Sequence, residues 1–150
     1  MTECEGPQKL YVDANVFITA LDGPSSISAQ LQDLFAVLLD RSGVAVTSEL
    51  TLAEILPKAT DWQKGYYLNL IIWNKIFDLR PVSREILIET ADYRKTTGMP
   101  KLPDAIHVVT AIQSGCRIIL SNDLRLRLPS GYTLIHLDPE SVARLIQELS

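Results

Sequence analysis

Lys9-Leu10-Tyr11-Val12-Asp13-Ala14-Asn15 decides how this chain reads. A short β-forming run ends on a carboxylate, and a helix pattern follows from Asn15 to Leu21, stopped by Asp22-Gly23-Pro24. The same handover recurs downstream. Val44-Ala45-Val46-Thr47 is a second apolar strand, Ser48 is placed as an N-cap, and the helix to Leu56 carries Glu54 in its second turn. Arg117 to Leu120 is another strand, delivering Ser121-Asn122-Asp123. Asp104 opens an apolar helix to Gln113 that Gly115 closes.

Working outward, a helix from the serines at 25, 26 and 28 to Asp40 carries Ile27, Leu31, Leu34, Phe35, Leu38 and Leu39 at helical spacing. Pro57 breaks or kinks the helix before it, and a further helix covers Asp61 to Asn74. Lys75 to Leu79 reads as a third strand and Tyr132 to Leu137 as a fifth. Ser83 caps a helix to Thr96, and Asp138-Pro139-Glu140 starts a closing helix. Helices alternating with continuous apolar strands predict an α/β chain: a three-layer α/β/α sandwich around a parallel sheet of four to five strands. Residues 1–150 are expected to form a single domain, with residues 1–8 a flexible N-terminal segment.

The hydrophobic share of 47% and charged share of 21% are those of a globular domain. The first residues carry neither a basic nor an apolar leader, and no run is long enough to span a bilayer, so a cytoplasmic protein without a membrane role is expected. Cys4 and Cys116, far apart, are expected to be reduced thiols. The net charge of −4 is unevenly spread. Residues 75–127 hold nine basic and six acidic side chains, leaving five and twelve elsewhere. RNA binding is therefore allowed, but not through a broad cationic surface.

An open α/β sheet gathers its strand ends into one crevice, so Asp13, Glu54, Asp104 and Asp123 are expected together there. Crowded carboxylates repel unless a cation neutralises them, which points to Mg²⁺ or Mn²⁺ and phosphoryl-transfer chemistry. Each acid also has a plainer reading. Asp13 can serve as an N-cap, Asp104 as a first-turn partner of the helix dipole, and Asp123 as a turn residue. Glu54, beside Leu50 and Ile55, is expected to need a partner, because burying it unpaired is costly. Glu49 decorates the helix start. Asn15 and Ser121 are candidates to hydrogen-bond Asp13 or a phosphate, and Thr47 and Asn122 are equally well explained as cap and turn. His107, one turn after Asp104, has no second His or Cys and is expected to be structural. Trp62, Tyr66, Leu70 and Trp73 form a stripe expected in a core or subunit interface.

Val12-Asp13-Ala14-Asn15, Ser48 to Glu54, Pro103-Asp104-Ala105 and Ser121-Asn122-Asp123, in that order over nearly the whole chain, resemble the PIN-domain family, specifically its VapC-like toxin ribonucleases. The resemblance implies a PIN-like fold and a metal-dependent endoribonuclease. Asp13, Glu54, Asp104 and Asp123 match the family's acidic quartet and metal ligands, with Asn15 beside them. It implies Mg²⁺ or Mn²⁺ as cofactor, RNA as substrate, hydrolysis to 5′-phosphate and 3′-hydroxyl ends, a homodimer, and a small antitoxin partner. The alternative it leaves open is a non-catalytic PIN-like module that binds RNA or protein.

Other folds fit less well. A phosphoacceptor domain wants a Lys after the last strand, where Asp138-Pro139-Glu140 stands; a dehalogenase-type phosphatase wants Asp at position 15; a nucleotide-binding fold wants a glycine-rich loop after the first strand.

Overall fold

The computed structural model describes residues 8–150; the expectation for the N-terminal segment, and Cys4, fall on residues 1–7, outside the described residues. Five strands, β1 (Lys9–Val12), β2 (Ala45–Ser48), β3 (Phe77–Arg80), β4 (Cys116–Leu120) and β5 (Thr133–Ile135), pair in parallel in the order β3-β2-β1-β4-β5. Helices α1 (Ala14–Asp22), α2 (Ser25–Leu39), α3 (Leu50–Ile55), α4 (Asp61–Leu68), α5 (Arg84–Thr97), α6 (Leu102–Gln113) and α7 (Pro139–Leu149) connect and cover them. The chain steps outward from β1 through β2 to β3 and then returns to the other side of β1 for β4 and β5, and the crevice at such a switch point is where open α/β sheets place their sites.

β1 is central and buried on both faces, which explains why it reads as a continuous apolar run. Leu10 and Val12 face the larger core, built from α1, α2, α4 and α7. Tyr11 points the other way, clustering with Val46, Ile119 and Ala111 of α6. Phe17, Phe35 and Phe77 anchor the larger core, with ring centroids 5.2 to 6.1 Å apart. Phe17 meets Phe77 edge-on, an arrangement that satisfies the ring quadrupoles.

Register at the C-terminal edge depends on one irregularity. Lys9 pairs with Cys116, but Leu10 pairs with Ile118, so β4 carries an extra residue there. That shift sets Val12 level with Leu120 and brings Asp13 abreast of Ser121. Without it, the facing side chain would be one residue earlier and on the other face.

Local signals explain most boundaries. Ser83 accepts from Ile86 N–H, Asp138 from Ser141 N–H, and Gly98 and Gly115 end α5 and α6 at φ +71° and +76°. Three expectations need correction. Ser48 ends β2, and its hydroxyl accepts from Leu50 N–H, while Glu49 occupies the cap position of α3. The third strand begins at Phe77, two residues later than the apolar run suggested. The helix after Asp61 is α-helical only to Leu68 and continues as a π-helical turn, Asn69–Trp73. Its stripe is split: Leu70 is buried and Tyr66 partly so, while Trp62 and Trp73 are 69% and 66% exposed. Cys116 is a buried free thiol whose pKa burial pushes up to about 12, which leaves it unreactive.

Candidate active site

Asp13 sits at the join of β1 and α1, 5% exposed. The plainer reading of it is satisfied by one oxygen alone: Oδ1 accepts from Ala14 N–H at 2.8 Å and caps α1. The other oxygen belongs to a polar network. Ser121 Oγ donates to Oδ2 at 2.6 Å, and Asn15 Nδ2 approaches at 3.4 Å. Ser121 Oγ in turn accepts from Asn15 Nδ2 at 3.2 Å and from Asp123 N–H at 3.0 Å. Asn15 Oδ1 accepts from Asn122 N–H at 3.0 Å. The end of β1 and the loop after β4 are thus tied through Asn15 and Ser121, both at the sheet edge named from sequence.

Glu54 reaches the same edge from α3. Thr47 Oγ1, at the end of β2, donates to Val12 C=O at 2.8 Å and lies 3.0 Å from Thr51 Oγ1. Both threonines are fully buried, so they pin α3 against the residue that precedes Asp13. Glu54 follows Thr51 by three positions, on the same side of the helix. It is not buried as expected: its side chain is about 30% exposed at the rim. It does find its partner, His107, whose ring nitrogen Nε2 bonds Glu54 Oε1 and lies 3.7 Å from Asp13 Oδ1.

His107 is the residue that the sequence undervalued. It is 2% exposed, and its Nδ1 is 2.6 Å from the Tyr11 hydroxyl. Burial alone would lower its pKa, but the Glu54 hydrogen bond and the charges of Asp13, Glu54 and Asp104 outweigh burial and raise it. Burial, followed by the charges of Asp13 and Glu54, holds the Tyr11 phenol well above its ordinary value, so it stays protonated. The signals available in sequence were Asp104 and His107 one turn apart on α6, and Tyr11 two residues before Asp13.

Asp104, in the first turn of α6, is partly buried. Desolvation, then the charges of Asp123 and Asp13, raise its carboxyl above the ordinary 3.8, with Lys101 and His107 opposing. Asp123 behaves differently. Desolvation works to raise its pKa but is outweighed by Arg125, whose backbone N–H and Nε bond Oδ1 at 2.9 and 3.2 Å, and by Lys101, so the net shift is downward. Of the basic side chains between residues 75 and 127, Arg94 donates to the Met99 and Pro100 carbonyls, and Arg127 bonds Thr97 C=O. Lys101 and Arg125 are exposed and act electrostatically on the acidic residues. A shallow recess of about 480 Å³ beside them is lined by Asn15, Asn122, Asp123, Leu124 and Arg125.

The donor chemistry suits a hard divalent cation: carboxylate oxygens, with Asp104 showing the mutual repulsion that a cation relieves. As the side chains stand, no group of three or more His, Cys, Asp or Glu among the described residues is disposed to hold a metal ion. His107 instead bridges toward Glu54 and Asp13.

A PIN domain family model matches residues 10–130. Among solved structures, a toxin–antitoxin complex from Klebsiella pneumoniae superposes with TM-score 0.62 at 17% identity, over 87% of this chain and 98% of that one. VapBC2 from Rickettsia felis, bound to a DNA fragment from its promoter, gives 0.61 at 15% identity, over 87% and 100%. DNA-bound VapBC from Salmonella typhimurium gives 0.58 at 18% identity, over 87% and 99%. No curated protein matches the chain. The structural likeness is one of fold, and the family match covers four of the five strands, β1 to β4, together with all four acids; this chain belongs to the PIN domain family.

Proposed function

We propose that this PIN-domain protein is a metal-dependent endoribonuclease, the toxin of a toxin–antitoxin pair, acting in the cytoplasm as a homodimer restrained by a small antitoxin. One observation supports the reading: the charges of Asp13 and Asp123 act on Asp104, and those of Asp13, Glu54 and Asp104 act on His107, at the edge of the sheet where its strand order switches. The toxin assignment draws on the complexes whose fold this chain shares. No helix among the described residues is long and apolar enough to cross a membrane.

Asp13, Glu54, Asp104 and Asp123 would hold Mg²⁺ or Mn²⁺. When bound, such an ion would supply Lewis acidity, lowering the pKa of water and stabilising negative charge on the phosphoryl oxygens. The chain's own residues do the rest. Ser121 and Asn15 orient the Asp13 carboxylate through its Oδ2 oxygen. Lys101 and Arg125 offer exposed cations to the RNA backbone beside the recess. With water, and not the ribose 2′-hydroxyl, as the nucleophile, no pair of catalytic histidines is needed. Total RNA treated with the protein and Mn²⁺ is expected to gain 3′-hydroxyl ends that poly(A) polymerase extends. Cyclic-phosphate ends would contradict hydrolysis by water.

The second reading, a non-catalytic module that binds RNA or protein, is favoured by the absence of a ready three-ligand group among the described residues. Mn²⁺ titration separates the two. Binding that Asp104→Asn weakens supports the enzyme; a fold indifferent to Mn²⁺ and to that substitution supports the module.

A further inference from the structure

Glu54 is held differently from Asp13 and Asp123, whose carboxylates accept from backbone N–H groups. It lies on a six-residue helix, at the rim, with no backbone N–H on its carboxylate among the described residues. A flexible side chain in that position loses conformational entropy on being fixed. Its recorded partner is the imidazole of His107, and that ring is itself held from behind by Tyr11. Tyr11 stands on the central strand, His107 on α6 and Glu54 on α3, so the chain of contacts runs through three separate elements.

We propose that Tyr11 and His107 are positioning residues: a hydrogen-bond chain from the Tyr11 phenol through the His107 ring holds the Glu54 carboxylate facing Asp13. This rests on the metal-dependent reading of the site and adds to it the residues that keep one acid in place. The direction of the chain follows from its chemistry. An ionised carboxylate only accepts, so Nε2 carries a proton toward Glu54. That proton is present in the neutral Nε2–H form and in the imidazolium alike. The phenol hydroxyl donates to Nδ1 in the first case and accepts from it in the second, so the chain survives either form of the ring. Rotation of the ring is opposed on both sides, since Tyr11 is fully buried and its ring meets His107 edge-on at 5.8 Å. The same ring edge lies 3.7 Å from Asp13 Oδ1, so its orientation also sets the spacing between the first and second acids.

Partners of this kind, one bond removed from a ligand, affect metal affinity by about 10–100-fold when removed. The test is Mn²⁺ affinity measured by electron paramagnetic resonance, with thermal unfolding of the same samples. Tyr11→Phe removes one oxygen and preserves the buried ring. Because Tyr11 stands one bond beyond His107, the substitution is expected to weaken Mn²⁺ binding by up to about tenfold. In a Glu54→Gln background it is expected to cost nothing further, because the carboxylate through which it acts is gone. His107→Gln, whose amide offers a donor near the Nε2 position, is expected to retain more affinity than His107→Leu. In metal-free wild-type protein, nuclear magnetic resonance should show a slowly exchanging His107 Nε2 proton that Glu54→Ala, which removes the acceptor, abolishes.

A merely structural role predicts something else: lowered melting temperatures, wild-type Mn²⁺ affinity in the folded fraction, and equal effects of Tyr11→Phe in both backgrounds. That pattern overturns the positioning chain and leaves the metal reading standing. Wild-type protein that binds no Mn²⁺ overturns both together.

Discussion

Ser121 is where the account of the site is easiest to weigh, because its hydroxyl is fully buried and every partner is identified. Ser121→Ala deletes the 2.6 Å hydrogen bond to Asp13 Oδ2, whose remaining recorded partner is the distant Asn15 amide at 3.4 Å. A hydrogen bond to a charged group contributes about 1.5–3 kcal/mol. The Asp123 N–H also loses its acceptor, but it is only part-buried and can turn to water, so it adds little. The lost atom is a single oxygen, which leaves no cavity of consequence. The expected loss is therefore about 2 kcal/mol, or about 4–8 °C in melting temperature for a chain of this size. Urea and thermal unfolding in chelator would measure it, with an unchanged dependence on urea showing that the unfolded state is the same. A variant within about 0.5 kcal/mol of wild type would refute the claim that Ser121 holds Asp13.

Other expectations follow from the same structure. Asp104→Asn should stabilise the metal-free protein at neutral pH. The native carboxyl binds its proton more tightly than the unfolded one, so wild-type stability falls as pH rises from 3.8 through the raised native value. The advantage of the variant should shrink on acidification and vanish below 3.8; a less stable variant at pH 7 in chelator would contradict this. Phe17→Ala, at the centre of the phenylalanine trio, should cost about 3–5 kcal/mol by urea unfolding, whereas Trp62→Ala, 69% exposed, should stay within about 0.5 kcal/mol. Lys101→Gln should weaken RNA binding and reduce the logarithmic salt dependence by about 0.7, the share of one phosphate on a single strand. An unchanged slope would remove Lys101 from the RNA path.

The fold was legible because its central strands are buried on both faces, and such strands must be apolar without interruption. Leu10 to Val12 and Ile118 to Leu120 show this. Capping chemistry located α5, α6 and α7 from Ser83, Gly115 and Asp138. The π-helical turn at Asn69–Trp73 was not legible, since a hydrogen bond one residue longer changes no side-chain requirement until it shifts the phase of the stripe and leaves Trp73 in solvent. Glu54 was correctly seen to need a partner, but its burial was assumed, and its carboxylate stands at a rim while the partner is buried. His107 was undervalued for a related reason. A single histidine says little in one dimension, and its meaning here comes from Tyr11 and Glu54, 96 and 53 positions away in the chain. The bulge that sets Asp13 beside Ser121 likewise leaves no mark in the sequence of β4.

New 5′-phosphate ends, mapped in total cellular RNA after treatment with wild-type or Asp104→Asn protein in Mn²⁺ or in chelator, would reveal metal-dependent hydrolysis. Hydrolysis at this site predicts discrete ends made by wild-type protein with Mn²⁺, and none in the other three samples. Ends that persist in Asp104→Asn, or in chelator, would contradict a metal-dependent site built on these acids.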